Sequence, residues 1–401
     1  MSATVLVLNS GSSSVKFALY DPEREQELLS GIAERVGTPR ASATIRLPDG
    51  ERELTDLGDG DHQAVLSRVL SGLGDWLDEQ GHHIAAVGHR LVHGGERFHS
   101  SVVLDEETLA AVRDCIPLAP LHNPANIAGV EAAQQVLPEV PQVGVFDTAF
   151  HQTMPAHAYR YAVPPEWYSD LGVRRYGFHG TSHRYVSQRA AEFLDRPLAE
   201  LRMITAHLGN GCSLTAIRDG VSVDTSMGLT PLEGVVMGTR SGDVDPGVPG
   251  YVQDRTGAEL EQITLDLNKR SGLLGLSGVS NDMREIRAAA DDGDPDARLA
   301  LEVFGYRLAK YIAALAVATE GVDVLVFTGG IGENDTQIRA EVLQRLGFLG
   351  LRLDSGANDA LRGEPGVITT EDSPVTAVVI PTDEELVIAR DAHQLTTEAD
   401  R

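Results

Sequence analysis

Two short apolar runs flank a loop of small polar residues near the start of the chain. Residues 5–21 read VLVLNSGSSSVKFALYD, so aliphatic and β-branched positions surround a Gly/Ser stretch. This pattern predicts a strand, a tight loop and a second strand. The loop is either an ordinary turn or a phosphate-binding loop, because backbone N–H groups, hydroxyls and a nearby lysine can all bind phosphate.

Residues 203–220 repeat that design. The sequence MITAHLGNGCSLTAIRDG again places a small polar loop between two apolar runs and ends in an acidic turn. Asn-Gly is itself a strong hairpin signal, so this loop can also be a simple turn. Two copies of one hairpin predict a duplicated domain, in which two phosphate loops could hold one triphosphate.

Other patterns predict an α/β arrangement. A helical period covers residues 61–80, and apolar runs at 84–93 and 143–148 predict strands. Residues 322–345 pass from the strand-like VDVLVFTGG through IGEND into the amphipathic TQIRAEVLQR. A strand-to-helix turn with glycines at its junction suits a nucleotide.

The last predicted helix follows the sequence IPTDEELVIARDAHQL. Thr382 and Glu385 have the spacing of a capping box, with Thr382 as the N-cap and Glu385 at the third helical position. Glu384 then has no role in capping, which leaves its carboxylate available for chemistry.

The length of 401 residues suits two domains, each large enough to bury its own core. The predicted division is residues 1–150 together with 384–401, which return as a C-terminal helix, and residues 151–383 as the second, nucleotide-binding domain. Two domains imply a cleft between them.

The charge balance limits the classes of partner. With 33 basic and 59 acidic residues, the formal net charge is -26, which argues against a general nucleic-acid or anionic-membrane surface. Only Cys115 and Cys212 are present, so a disulfide framework and a Cys-based zinc site are not expected. No apolar stretch has membrane-spanning length and no secretory signal is recognisable, so we expect a cytoplasmic protein.

The segment GHRLVHGG, residues 88–95, carries a candidate acceptor site. On a strand, Arg90 and Val92 share a face, so a guanidinium and a small apolar side chain could meet a carboxylate with a short alkyl tail. The same pair fits an ordinary half-buried strand. His89 and His93 lack the glutamate of an H-E-x-x-H zinc motif, which weakens a metal interpretation.

Three further residues are candidates for catalysis. Asp147 ends the apolar strand in VFDTAFH, where α/β sheets commonly present functional groups; it could equally cap a turn or helix. His179 lies between Phe178 and Gly180, a setting that favours exposure to a cleft over a core role. Arg240 lies on the Gly-rich loop 237–247, where it could clamp a transferring phosphoryl group or simply be solvated.

Taken in order, VLVLNSGSSSVK, RYGFHGTSHRYVS, HLGNGCS, MGTRSGD, FTGGIGEN and PTDEEL resemble the acetate kinase family along essentially the whole chain. The resemblance implies two ribonuclease-H-like α/β domains flanking a nucleotide cleft, as in the superfamily of acetate and sugar kinases, Hsp70 and actin. It also implies a homodimer.

The resemblance implies a role for each matching residue. Asp147, His179 and Arg240 would be catalytic, and Asn9 and Glu384 would hold Mg²⁺, with Mn²⁺ as an alternative. The acetate site would comprise Arg90, Val92, Leu121, His122, Phe178 and Pro231. The nucleotide site would comprise Ser12, Ser14, Lys16, His207, Leu208, Gly209, Asn210, Gly211, Asp282, Met283, Arg284, Gly330, Ile331, Gly332, Glu333 and Asn334.

The implied reaction is reversible, Mg²⁺-dependent phosphoryl transfer from ATP to acetate, giving acetyl phosphate and ADP. Acetate is already ionised at pH 7 and needs no general base, so we interpret Asp147 as an organiser of Mg²⁺ or Arg240. We expect direct in-line transfer. A propionate or other short-chain acyl kinase remains an alternative, as does, in another class, an actin-like or Hsp70-like ATPase.

Overall fold

The computed structural model describes residues 2–48, 50–55, 57 and 60–399. Its strands are β1 (Ser2–Ser10), β2 (Ser14–Asp21), β3 (Gln26–Glu34), β4 (Ser42–Leu47), β5 (Gly50–Leu54), β6 (His82–Leu91), β7 (Val102–Val103), β8 (Gln142–Phe146), β9 (Met203–Leu208), β10 (Cys212–Arg218), β11 (Val221–Thr225), β12 (Val324–Thr328), β13 (Gly366–Val367) and β14 (Thr376–Val379).

Its α-helices are α1 (His62–Gln80), α2 (Glu106–Asp114), α3 (Asn123–Val136), α4 (Ala156–Tyr159), α5 (Pro165–Ser169), α6 (Gly180–Phe193), α7 (Val248–Thr256), α8 (Leu260–Lys269), α9 (Gly272–Ser277), α10 (Met283–Asp291), α11 (Pro295–Ala318), α12 (Gly329–Asn334), α13 (Thr336–Arg345), α14 (Ser355–Ala360) and α15 (Glu384–Ala399).

The chain folds as two compact units. The first consists of the described residues up to Phe150 and from Asp383 onward, and the second of His151–Thr382. Each unit is built on one mixed sheet, in the order β5-β4-β3-β2-β1-β6-β8-β7 in the first and β11-β10-β9-β12-β14-β13 in the second. The predicted α/β class is therefore confirmed.

The same three-stranded motif lies in both sheets. In the first unit β1 pairs antiparallel with β2 and parallel with β6. In the second unit β9 pairs antiparallel with β10 and parallel with β12. The two Gly-containing loops of the sequence thus connect equivalent strands.

Helices cover both faces of the first sheet, so its central strands are apolar on both sides. Leu6 and Leu8 of β1 belong to a core that includes Val65 of α1 and Ala132 of α3. Gly88 of β6 allows α15 to pass closely, because a Cβ atom there would lie 2.5 Å from Cγ2 of Ile388. This packing sets the position of Glu384 at the start of α15.

The predicted capping box at Thr382 and Glu385 is wrong. Helix α15 begins at Glu384, and Asp383 caps it by accepting the N–H of Leu386 at 2.8 Å. A carboxylate next to the helix start is a stronger acceptor for the first N–H groups than a hydroxyl one residue earlier. Thr382 Oγ1 instead shares a hydrogen bond with Ser182 Oγ at 2.8 Å.

Element boundaries also differ from the sequence patterns. The glycine-containing junction after β12, expected as a turn, forms the short helix α12, and the predicted amphipathic helix follows it as α13, which Asp335 caps through the N–H of Ile338. The strand expected at 84–93 ends at Leu91. Among the helices of the described residues, none has the length and apolar character needed to span a membrane.

Candidate active site

In the first unit, the ends of β6 and β8 bring Arg90 and Asp147 together. Nε of Arg90 donates to Oδ1 of Asp147 at 2.9 Å, and Nη2 donates to Oδ2 at 2.8 Å. Burial opposes the charge of Arg90, but the carboxylates of Asp147 and Glu384 outweigh it and raise the pKa of Arg90. Asp147 therefore orients Arg90. The sequence had indicated Mg²⁺ or Arg240, and not Arg90, as the partner of Asp147.

Glu384 lies in the same cluster and has an unused oxygen. Its Oε1 is buried and has no hydrogen-bond partner among the described residues. Burial raises the pKa of Glu384, Arg90 and Lys16 oppose that shift, and Asp147 and Asp383 reinforce it. A buried carboxylate oxygen without a donor is well suited to a cation, so this residue fits the role of a Mg²⁺ ligand.

Asn9 and Lys16 face each other across the β1–β2 hairpin as paired residues. Both line a cavity of about 410 Å³ that Glu385, next to Glu384, also lines. The intervening loop closes through the N–H of Gly11, which donates to the backbone oxygen of Ser14 at 2.8 Å. Ser12 is exposed on this loop.

The residues predicted to surround an acyl group are only partly brought together within the first unit. Val92 follows the end of β6, so the argument that it shares a strand face with Arg90 does not hold; its N–H instead donates to Oδ1 of Asn126 at 3.0 Å. Leu121 is 60% exposed, and His122 directly precedes α3.

In the second unit, His179 precedes α6 with a φ angle of +55°. A non-glycine residue in this left-handed region is strained, and such strain is common at functional sites. Nδ1 of His179 lies 2.8 Å from Oγ of Ser213, and its ring stacks on His207 with the centroids 4.4 Å apart. His207 in turn hydrogen-bonds to Ser182 through Nδ1.

Arg240 and His179 meet over Gly211 in the second polar loop. A Cβ atom on Gly211 would lie 2.5 Å from Nη2 of Arg240 and 3.3 Å from Nε2 of His179. Nη1 of Arg240 donates to the backbone oxygen of Pro231 at 2.6 Å. Phe178 is buried, and its carbonyl is 3.0 Å from Nε2 of His151. The absence of a side chain at Gly211 thus leaves room where two nitrogen donors converge.

A cavity of about 670 Å³ lies in the second unit. Its lining includes these predicted nucleotide residues: Gly209, Asn210, Asp282, Met283, Arg284, Gly330, Ile331 and Asn334. The predicted residues His207, Leu208, Gly211, Gly332 and Glu333 lie in the same segments but are not among those lining it.

The sequence interpretation missed other residues of this cavity, including Arg287, Gln337 and Arg362. Arg287 binds both carboxylate oxygens of Asp335 at 2.7 Å. It lies four residues after Met283 on α10, so helical spacing could have placed it on the same face.

Comparison with known proteins gives a consistent result. The chain matches the Acetokinase family over residues 4–390. It is 60% identical over 387 residues to a protein of Deinococcus radiodurans named acetate kinase, covering 96% of each chain. The structure of Porphyromonas gingivalis acetate kinase is similar with a TM-score of 0.92 and 48% identity, over 98% of this chain and 99% of that one. A structure described as a propionate kinase from Francisella tularensis has a TM-score of 0.91 and 46% identity, over 98% and 100%.

Proposed function

Since the chain belongs to the acetokinase family, we propose that it catalyses reversible transfer of the γ-phosphoryl group of ATP to acetate, giving acetyl phosphate and ADP. The observation that carries this proposal is the convergence of Arg240 and His179 on Gly211, in the loop equivalent to the first polar hairpin loop. Donors placed there would bind the oxygens of a transferring phosphoryl group.

The acceptor needs no deprotonation, because a carboxylate is ionised at neutral pH. The main barrier is the repulsion between acetate and the γ-phosphate, so catalysis depends on positioning and charge neutralisation. In this proposal Arg90 binds the acetate carboxylate. Two of its five N–H groups are held by Asp147, which leaves three for the substrate.

The acyl group would then lie against Val92, Leu121, His122, Phe178 and Pro231. Arg240 and His179 would bind the phosphoryl oxygens as charge shifts toward the leaving ADP. Asp147 would hold the plane of the Arg90 guanidinium and take no proton.

Mg²⁺ is proposed as the metal, held by Glu384 and Asn9. Among the described residues no group of three or more His, Cys, Asp or Glu side chains is placed to hold a metal. Mg²⁺ commonly takes one or two protein carboxylates and completes its shell with phosphate oxygens and water. The unpartnered Oε1 of Glu384 fits that pattern. When bound, the ion would neutralise phosphate charge.

The nucleotide is proposed to bind with its base and ribose in the cavity lined by the α10 and α12 residues. That cavity has room for an adenosine group, and Arg284 and Asn334 are among its polar groups. The proposed phosphate-binding residues are His207–Gly211 in the second unit and Ser12, Ser14 and Lys16 in the first.

A propionate kinase is the second candidate, because the Francisella tularensis structure with that description matches this chain almost as well as the acetate kinase structure does. One methylene changes selectivity in an apolar pocket by only about 10- to 200-fold. Both relatives are kinases, which favours acyl phosphate chemistry over the actin-like or Hsp70-like alternative.

Trapping of the product with hydroxylamine tests the proposal. The protein would be mixed with Mg-ATP and acetate, propionate or butyrate, and the acyl hydroxamate measured to obtain kcat/KM for each acid. We expect a hydroxamate from each acid that the protein accepts as a substrate, and the highest kcat/KM for acetate. A folded protein that hydrolyses ATP without forming hydroxamate would contradict the proposal, and a higher value for propionate would select the second candidate.

A homodimeric, cytoplasmic protein without nucleic-acid or membrane partners is also proposed. The support is the family resemblance and, for the partners, the net charge of -26. Light scattering during size-exclusion chromatography should give twice the chain mass of 42.9 kDa, and a monomer mass at working concentrations would contradict the dimer.

A further inference from the structure

Three buried polar residues link His179 to the interior of the second unit. Ser213 Oγ lies 2.8 Å from Nδ1 of His179 and 2.7 Å from Nε2 of His183. The other ring nitrogen of His183, Nδ1, lies 2.7 Å from Oγ1 of Thr205. Thr205, His183 and Ser213 are completely buried, so we call this series the Thr205–His183–Ser213 chain.

The direction of each hydrogen bond follows from counting protons. In the described part of the protein, the hydroxyl of Thr205 has a single hydrogen-bond partner, Nδ1 of His183. A buried hydroxyl proton without an acceptor carries a free-energy penalty. The Thr205 hydroxyl therefore donates to Nδ1 of His183.

A neutral histidine has one N–H group and one acceptor nitrogen. With Nδ1 accepting, His183 carries its proton on Nε2 and donates it to Oγ of Ser213. The Ser213 hydroxyl has one proton, which is then directed to Nδ1 of His179. The ring proton of neutral His179 must consequently lie on Nε2.

The protonation state of His183 supports this order. Burial, reinforced by neighbouring His151 and His207, holds the pKa of His183 well below its usual range. His183 therefore stays neutral at physiological pH and cannot donate from both nitrogens. A cationic His183 would donate from both ring nitrogens, which would reverse its bond with Thr205 and leave the Thr205 hydroxyl proton without an acceptor.

The Nε2 atom defined in this way lies at the site of proposed chemistry. It is on the side of the ring nearest to Gly211, where Nη2 of Arg240 also lies. One face of the His179 ring is covered by the ring of His207. An N–H group there can donate to a phosphoryl oxygen, whereas a bare nitrogen would repel it.

We propose that Thr205, His183 and Ser213 are positioning residues that fix His179 as the Nε2–H tautomer, so that a neutral imidazole donates a hydrogen bond beside the Arg240 guanidinium during phosphoryl transfer. The assignment of the tautomer is independent of the substrate, but its catalytic consequence rests on the proposed function. No proton is transferred: the acceptor oxygen forms a bond to the γ-phosphorus, and the electron pair of the broken bond leaves on ADP.

Nitrogen NMR tests the tautomer without any assay of activity. The full chain would be labelled with ¹⁵N-histidine and measured without ligand near pH 8, with the His179 signals assigned from their loss in His179→Gln. We expect a protonated Nε2 and an unprotonated Nδ1 in His179. A proton on Nδ1 in the unchanged protein would overturn the proposal, even if acetyl phosphate is formed.

A double-mutant cycle tests the catalytic consequence. Ser213→Ala should lower kcat by about tenfold or more and leave both KM values within about threefold, because it removes orientation and not binding. His179→Gln should then cost far less in the Ser213→Ala background than in the unchanged protein. Fully additive losses would show that Ser213 does not act through His179.

Ser226→Ala is the matched control, since its buried Oγ accepts the N–H of Leu214 and is not linked to His179. Its effect should be additive with that of His179→Gln. Thr205→Val, which is nearly isosteric, is the second variant should Ser213→Ala not fold. It should shift the His179 signals toward a mixture of tautomers, and unchanged signals would contradict the role of Thr205.

Discussion

Arg90 and Asp147 form a two-point ion pair in which each carboxylate oxygen accepts one guanidinium N–H, at 2.9 and 2.8 Å. The side chain of Asp147 is 3% exposed and that of Arg90 is 20% exposed. Paired hydrogen bonds of this kind fix the plane of the guanidinium as well as its position. In the proposed function, the remaining N–H groups of Arg90 are the ones that bind the acetate carboxylate.

Asp147→Asn should raise KM for acetate by about tenfold or more while KM for ATP changes little, because an amide offers Arg90 only one acceptor atom. The pH dependence of kcat should keep its shape, since no base is removed. Initial-rate kinetics with each substrate varied would measure both effects.

Glu131→Gln is the control for that experiment, because it also removes a carboxylate from an arginine ion pair, but at the surface. In that pair the side chain of Glu131 is 43% exposed and that of Arg113 is 44% exposed. This variant should leave both KM values unchanged. Loss of the acidic limb of the pH profile in Asp147→Asn would instead identify Asp147 as a proton acceptor.

Gly211→Ala should lower kcat strongly, because the added Cβ would lie 2.5 Å from Nη2 of Arg240 and must displace that guanidinium. Loss of one preorganised donor to a transition state costs about 10²- to 10³-fold in other enzymes. Gly209→Ala has no contact closer than 3.5 Å, so its loss of kcat should be much smaller. Equal losses in the two variants would contradict the steric account.

Arg339 is fully buried and holds the end of α12. It donates to the backbone oxygens of Gly332 and Glu333 at 2.9 and 2.7 Å, and to those of Asn358 and Leu361 at 3.1 and 2.7 Å. Burial lowers the pKa of Arg339 to about 10. One guanidinium therefore joins α12 to the segment around α14.

Arg339→Lys should lower the free energy of unfolding by about 2–4 kcal/mol, because one ammonium group cannot reach all of these carbonyl groups and each unsatisfied buried group is costly. KM for ATP should rise about tenfold, with KM for acetate unchanged. Arg345→Lys, on the same helix in an exposed pair with Glu341, should have neither effect. Equal increases in both KM values would refute a specific role at the nucleotide cavity.

Because His89 is buried, the stability of the first unit should depend on pH. Burial lowers the pKa of His89 to about 4, against an opposing hydrogen bond to Gln142. Between pH 4 and the ordinary value near 6.5, the unfolded chain binds more protons than the folded one. The contribution of neutral His89 to the free energy of unfolding is thus fully present above the ordinary pKa. It is lost, by up to about 3 kcal/mol, as the pH falls toward the pKa of His89 in the folded protein.

His89→Gln removes that titration. Urea unfolding at pH 7.5 and pH 4.5 should show that the stability difference between the unchanged protein and the variant shrinks as the pH falls. His99→Gln, at an exposed position, is the control and should give a constant difference. A constant difference for His89→Gln as well would contradict the assigned titration.

The sequence predicted those features whose signals are local. The β1–β2 and β9–β10 hairpins follow from apolar runs around small polar loops, and their repetition indicated a duplicated design. The predicted cap of α15 was wrong because Thr382 and Asp383 both fit the local spacing of a capping residue. The choice between them depends on partners far along the chain, since Thr382 binds Ser182, 200 positions away.

The hydrogen-bond partners of the candidate site residues could not be predicted from the sequence either. Nothing in the spacing of Arg90 and Asp147, 57 positions apart, shows that they form an ion pair. The proposed roles of Ser213 and Thr205 were missed for the same reason, because their partners His179 and His183 are distant in the sequence. These relationships depend on how separate strands align within a sheet and on how helix α6 packs against β9 and β10.

The configuration at phosphorus tests the central claim most directly. The protein would be given ATP with an isotopically chiral γ-phosphate together with acetate, and the configuration of the acetyl phosphate would be determined. Direct attack by acetate on the γ-phosphorus predicts inversion. Retention would contradict the account, because it requires two displacements and therefore a phosphorylated residue of the protein between ATP and acetate.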